Sequence, residues 1–154
     1  MIIERIIDTH NERRSMKLYG RYYRENRRKI YHMIKYFYKE EAGKIAIWGA
    51  GPKGIAFLRV IDPKKAYINT VIDIDVSKQG KKLLTGHIIE GIDAIKENGI
   101  EIILVMNSGF YTDIAEQIKK IGLNTSLISV DGFIQEDISV KELSYGRNLN
   151  ESTI

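Results

Sequence analysis

The stretch that most constrains this chain runs from Lys44 to Gly54 and reads Lys-Ile-Ala-Ile-Trp-Gly-Ala-Gly-Pro-Lys-Gly. Its first half, Ile45 to Trp48, is apolar, β-prone and too short to be a helix. Three glycines follow at the spacing G-x-G-x-x-G, and beyond them the apolar residues take up a helical period. The pattern predicts a strand, a tight turn and a helix N-terminus. Gly49 allows the sharp turn, Gly51 lets a phosphate approach the backbone, and Gly54 lets the helix pack closely on the strand. Pro52 suits the first helical position, where its missing N–H costs nothing. The free N–H groups of the first turn, with the helix dipole behind them, favour an anion, and Lys53 adds a cation beside it. An acidic strand end, Asp73, stands 19 residues beyond Gly54. A carboxylate there is placed to accept hydrogen bonds from a ribose diol.

The remainder of the chain agrees with one α/β domain. At 154 residues it is long enough to bury a core. Its 44% apolar and 29% charged content are those of a water-soluble domain. There is no cysteine, which excludes disulfides, thiolate metal sites and redox thiols. The longest apolar runs span only a few residues, so no membrane crossing is expected. Met1 to Arg5 lacks the basic start and long apolar core of a signal peptide, and a cytoplasmic location is the expectation. His10, His32 and His87 show no ligand spacing, so no metal site is expected.

Residues 1–43 are expected to form an N-terminal helical segment packed on the domain. Ile2, Ile3, Ile6 and Ile7 share a helical face, Gly20 interrupts, and Tyr22, Tyr23, Asn26, Ile30, Ile34 and Phe37 then recur three or four apart as far as Gly43. Six of the nine tyrosines lie between Tyr19 and Tyr38. Such a stripe predicts burial, with Tyr22, Ile30 and Phe37 inside, and an expected homodimer through the helix of residues 20–42. The basic balance of residues 1–44, 12 Lys and Arg against 6 Asp and Glu, reads as a solvated helix face, and nucleic acid is not an expected partner. Tyr31 and Lys35 have the spacing of the tyrosine–lysine pair of short-chain dehydrogenases. They lie upstream of the glycine loop instead of downstream, which makes them a helix-surface coincidence.

Residues 44–134 alternate strands and helices. The expected strands are Ile45–Gly49, Ile68–Asp75, His87–Ile89, Glu101–Met106 and Thr125–Val130, with helices over Ile55–Ile61, Ile92–Asn98 and Asp113–Ile121. Asp62-Pro63 stops the first of these helices. Asp73 and Asp75 are expected on one face of their strand, with Asp75 capping the next turn. This predicts a Rossmann-like three-layer domain, helices on both faces of a parallel sheet of about five strands in the order 3-2-1-4-5. From Asp131 the periodicity fades, and residues 135–154 are expected to be an irregular tail.

Over about residues 26–130 the chain resembles the C-terminal Rossmann-like domain of sugar C-methyltransferases, which act on nucleotide-linked deoxysugars. Gly49-Ala50-Gly51-Pro52-Lys53-Gly54 stands where that family reads G-A-A-A-K-G. Val71-Ile72-Asp73, Lys78-Gln79-Gly80 and Gly86-His87-Ile88 look like its K-Q-G…G-T-H-I segment and the strand before it. After the fourth strand the family's P-W-N-F appears as Asn107-Ser108-Gly109-Phe110, so only Phe110 carries over. The residues after the glycine loop are too few for a seven-stranded methyl-donor-binding core, so none is expected in this stretch. The resemblance implies a stand-alone module that holds a nucleotide or nucleotide-sugar, serves a sugar-modifying partner enzyme in deoxysugar or surface-polysaccharide metabolism, and transfers no methyl group itself. Gly49, Gly51, Lys53 and Gly54 are expected to face phosphate, Asp73 the ribose, and Ser108 to Tyr111 the outer part of the ligand.

Two other readings compete. Gly51 makes the loop a better dinucleotide fingerprint, so a small NAD(P)-dependent oxidoreductase or NAD-binding sensor is the alternative, with NAD(P) as its cofactor. Tyr111 and His87 are its only acid–base candidates. The other is a protein-interaction scaffold with an empty cleft.

Overall fold

The computed structural model describes residues 10–40 and 44–136. Two helices come first, α1 (His10–Glu25) and α2 (Arg27–Glu40). They are separated at Asn26, whose side-chain amide donates to the Tyr22 carbonyl at 2.9 Å. The expected interruption at Gly20 does not occur. Gly20 is buried inside α1, and a Cβ there would stand 3.2 Å from the Arg24 guanidinium. A mid-helix glycine costs about 1 kcal/mol, which the packing of α1 against the helix of Pro52–Ile61 absorbs. The residues expected to start an earlier helix, Ile2 to Ile7, lie outside the described residues, as do Gly43 and the chain beyond Glu136.

The domain proper runs β1 (Ile45–Trp48), α3 (Pro52–Ile61), β2 (Ile68–Ile72), β3 (Ile89–Glu90), α4 (Ala94–Glu97), β4 (Ile102–Val105), a 3-10 turn (Ser108–Phe110), α5 (Tyr111–Lys120), β5 (Ser126–Ser129) and α6 (Val130–Glu136). All strands are parallel, in the order β3-β2-β1-β4-β5. β1 is central, and its four residues are buried, as are the four of β4. Trp48 pairs with Ile72 on one side and Val105 on the other, so the three strands end level. The fading expected from Asp131 is displaced, because the seven-residue helix α6, about two turns, follows β5 directly. There Gly132 N–H is capped by the Ser129 hydroxyl at 3.1 Å.

The two faces of the sheet carry separate cores. One packs Ile45, Ile47, Ile68, Val71 and Leu104 under α1, α2, α3 and α6, with Tyr23, Ile30, Ile34, Phe37, Phe57 and Phe133. The other packs Ala46, Trp48, Ile72, Ile103 and Val105 under α4 and α5. The stripe of the N-terminal segment is therefore used within the chain. Ile30 and Phe37 are buried and Tyr22 half-buried. That packing satisfies the stripe without a second copy, so the homodimer stays a proposal.

β2 is shorter than the sequence pattern, and the reason is local. Asp73 Oδ1 accepts the Asp75 N–H at 2.9 Å, and Asp75 Oδ1 accepts the Ser77 N–H at 3.0 Å. Two successive side-chain-to-backbone turns of this kind pull the chain out of the sheet after Ile72. Asp75 caps its turn as expected. The hydrogen bond from the Ser77 hydroxyl, then that from the Ser77 N–H, holds its carboxyl below the usual range.

A buried polar clasp fixes the long β2–β3 connection. The Asp62 carboxylate, at the end of α3, accepts N–H groups from Ala66 at 2.6 Å and Ile68 at 2.8 Å. It also faces His87 Nε2 at 3.1 Å, while His87 Nδ1 lies 2.6 Å from the Thr85 hydroxyl. Burial pushes the Asp62 carboxyl up. The bonds from His87, Ile68, Ala66 and Tyr67 outweigh that and hold it below its ordinary value.

Candidate functional site

The strand order reverses direction at β1. α3 leaves β1 towards β2 on one face, while α4 returns to β4 on the other, which opens a crevice beyond the carboxyl ends of β1 and β4. A cleft of about 670 Å³ lies there. Its floor is Trp48, Gly49 and Met106, one side is Gly51 to Gly54, and the other is Asn107, Phe110, Asp113, Ile114 and Gln117. Asp73, Ile74 and Lys78 form one end, and Ser15 and Tyr19 of α1 close it from outside the sheet.

The three glycines do different work. Gly49 has a φ of +125°, which L side chains rarely adopt. At Gly54 an added Cβ would fall 1.9 Å from the Gly49 carbonyl oxygen, so the α3–β1 approach requires glycine. Gly51 is different. Its φ of −88° and ψ of −169° suit any residue, and nothing lies within 4 Å of an added Cβ. The fold does not need a glycine at 51; the open cleft in front of it is what a side chain would fill.

The α3 N-terminus is electrostatically open. Its N-cap, Gly51, brings no side chain to cap it, Pro52 follows, and no acidic residue sits in its first turn. The first-turn N–H groups of Lys53 and Gly54 have no intrahelical acceptor. α5 also begins at the cleft, but Asp113 occupies its first turn and offsets its dipole.

Asp73 lines the cleft and also braces it. Its Oδ2 accepts the Ala50 N–H at 2.9 Å, which ties the glycine loop to the end of β2. Lys78 Nζ lies 3.8 Å from the same oxygen. Gln79 donates to the Asp73 carbonyl at 2.9 Å and stands over Gly91, and Gly80, at φ +85°, turns the chain back so that its N–H reaches the Ile89 carbonyl. The Lys78-Gln79-Gly80 motif thus positions Asp73.

Lys53 lines the cleft, but its ammonium pairs with Asp131 of α6 and lies 5.3 Å from the centre of the Tyr19 ring. Of the Ser108–Tyr111 stretch expected at the outer end of the ligand, Phe110 lines the cleft, whereas Ser108 and Tyr111 do not. Ser108 is exposed in the 3-10 turn, away from the cleft wall. Tyr111 is buried against the sheet, its hydroxyl donating to the Leu127 carbonyl at 3.3 Å. A tyrosine at the first position of α5 faces inward, and Asn107, Phe110 and Asp113 take the cleft side. Asn107 Oδ1 accepts the Gly109 N–H at 3.0 Å and holds this turn. Ser15 and Tyr19 carry no motif. Their only sequence signal is a separation of four, one turn of a helix whose position no local pattern reveals.

A family profile described as C2185-like, N-terminal, matches residues 41–129. The chain belongs to that family. The match covers β1 to β5 and so includes the glycine loop, Asp73 and the Asn107–Asp113 wall, while α1 lies before it. Among solved structures, UDP-D-quinovosamine 4-dehydrogenase from Vibrio fischeri is similar at 20% identity, with 62% of this chain and 86% of that one covered and a TM-score of 0.43. That likeness is too distant to bear on ligand or activity. Comparison with the curated proteins gives no match. Among the described residues no helix is long and apolar enough to cross a membrane.

Proposed function

We propose that this domain is a binding module for a nucleotide or nucleotide-sugar, held with its phosphates at the α3 N-terminus and its ribose beside Asp73. The observation that carries the reading is Gly51. Its backbone is ordinary and its surroundings are empty, so its glycine is explained by a group approaching the loop from the cleft. The uncapped helix start supplies N–H donors for an anion. Asp73, with both oxygens already accepting one backbone N–H, keeps lone pairs for a diol. The outer part of the ligand then meets Asn107 and Phe110 instead of Ser108 and Tyr111.

Hydride transfer finds less support. His87 is buried in the Asp62 clasp, and Tyr111 is spent on Leu127, both outside the cleft. The tie to sugar C-methyltransferases, and with it a partner enzyme that modifies the bound sugar, belongs to this proposal as its biological setting.

The test is thermal stabilisation of the full chain by UDP-glucose, GDP-mannose and NAD. Ligand at about 100 times its dissociation constant adds roughly 2.7 kcal/mol, which raises the melting temperature by about 5 °C or more. Gly51→Glu puts a carboxylate where the phosphate would sit and removes the shift. No shift with any of these ligands would refute binding and favour the scaffold reading. A shift that survives Gly51→Glu would place the ligand elsewhere.

A further inference from the structure

We infer that Ser15 and Tyr19 of α1 form the second wall of the phosphate subsite, and that Asp131 neutralises Lys53 there, so that the cleft selects diphosphates esterified at both ends over nucleotides with a free terminal phosphate. This rests on the nucleotide-binding reading above and specifies its ligand class.

The wall follows from where α1 runs. It packs along α3 on the outer side of the sheet, so Ser15 and Tyr19, one turn apart, line the same cleft as Gly51 to Gly54. A diphosphate at the α3 N-terminus therefore lies between two helices. One offers backbone N–H groups and the other two neutral hydroxyl donors. Hydroxyls can bind an anion of low charge without adding charge of their own.

The charge balance sets the class. Two cations line the cleft, and each has a carboxylate beside it. Lys53 is paired with Asp131, both largely buried, and Lys78 lies 3.8 Å from Asp73. Asp113 adds a negative charge at the start of α5 with no cleft cation left to balance it. A doubly esterified diphosphate carries a single charge on each phosphorus. A terminal monoester carries about −1.5 to −2 at pH 7, and the additional charge would face Asp113 and Asp73 with only partial compensation. Among the described residues the second Asp131 oxygen is buried without a hydrogen-bond partner, as is the Tyr23 hydroxyl nearby. The pairing with Asp131 draws the Lys53 ammonium towards α6.

Calorimetry on the full chain with matched pairs tests this: UDP-glucose against UDP, GDP-mannose against GDP, and NAD against ADP. In the pair that binds, the doubly esterified member is expected to bind about tenfold tighter or more. Asp131→Asn, checked for folding by its melting curve, should release Lys53 and shrink that ratio by strengthening the free-ended nucleotide. Ser15→Ala and Tyr19→Phe should each weaken the doubly esterified ligand about two- to tenfold. Equal or tighter binding of UDP, GDP or ADP, abolished by Gly51→Glu, would overturn the selectivity while leaving nucleotide binding intact. Unchanged affinity in both α1 variants would remove the second wall. Silence from all six probes would end both this inference and the binding reading.

Discussion

Gly54→Ala and Gly51→Ala make a paired perturbation with opposite expected outcomes. At Gly54 the added Cβ meets the Gly49 carbonyl oxygen at 1.9 Å, where contacts below 3.0 Å are essentially never seen. The obstacle is backbone, so no rotamer change relieves it, and α3 must move off β1 by more than about 1 Å. α3 cannot move freely, because Ile55, Phe57, Leu58 and Ile61 are buried in the same core and α1 packs against its outer side. Overpacking of this kind costs about 1–3 kcal/mol, and here the upper end applies. Alanine's better helix propensity returns about 1 kcal/mol. The net loss is about 2 kcal/mol, a fall in melting temperature of about 4–8 °C for a domain of this size. At Gly51 the same methyl group meets nothing. Stability should be unchanged or rise by about 0.4–1 kcal/mol through the less flexible unfolded chain. The ligand-induced shift, however, should diminish, because the methyl group occupies the approach to the loop. Differential scanning calorimetry with and without ligand reads both effects. A Gly54→Ala melting temperature within about 1 °C of wild type would refute the close-approach account. A Gly51→Ala variant with undiminished ligand stabilisation would refute the account of Gly51.

Three further outcomes are expected. Asp62→Asn should destabilise by about 3 kcal/mol near neutral pH, since it removes a buried charge that several N–H groups and His87 share. The folded carboxyl sits below its unfolded value, so its contribution is complete above about pH 4 and fades as the pH falls through the folded value; the gap between wild type and Asp62→Asn in urea melts should close on acidification, and a gap that widens would reverse the sign assigned here. Asp73→Ala should cost about 1–2 kcal/mol by freeing the Ala50 and Asp75 N–H groups, and it should weaken ligands with a free ribose diol more than inorganic pyrophosphate, a contrast that equal losses in calorimetry would disprove. Tyr111→Phe should lower stability by about 1 kcal/mol through the lost bond to Leu127 and leave ligand affinity unchanged; a drop in affinity without a drop in melting temperature would return Tyr111 to the site.

The sheet and the glycine loop were legible in local sequence. Strand order, the parallel layers and the glycine turn follow from short-range facts: an apolar run of four, glycines at fixed offsets, and helical periods between strands. These are written into neighbouring residues because turns, caps and strand alternation are set by neighbouring residues. The helix boundaries at Gly20 and Asp131 were not legible, since packing against α3 and direct continuation from β5 override local preference. The site divided in the same way. Gly49, Gly54 and Asp73 act through the backbone next to them, and the motif located them. Which side of the first turn of α5 faces the cleft was decided by burial against β5, so Tyr111 went inward and Asn107, Phe110 and Asp113 outward. Lys53 was turned towards Asp131, a residue 78 positions away, and Ser15 and Tyr19 came to the cleft from a helix that precedes the whole sheet. Such pairings depend on how separate elements pack in space, and no spacing along the chain records them.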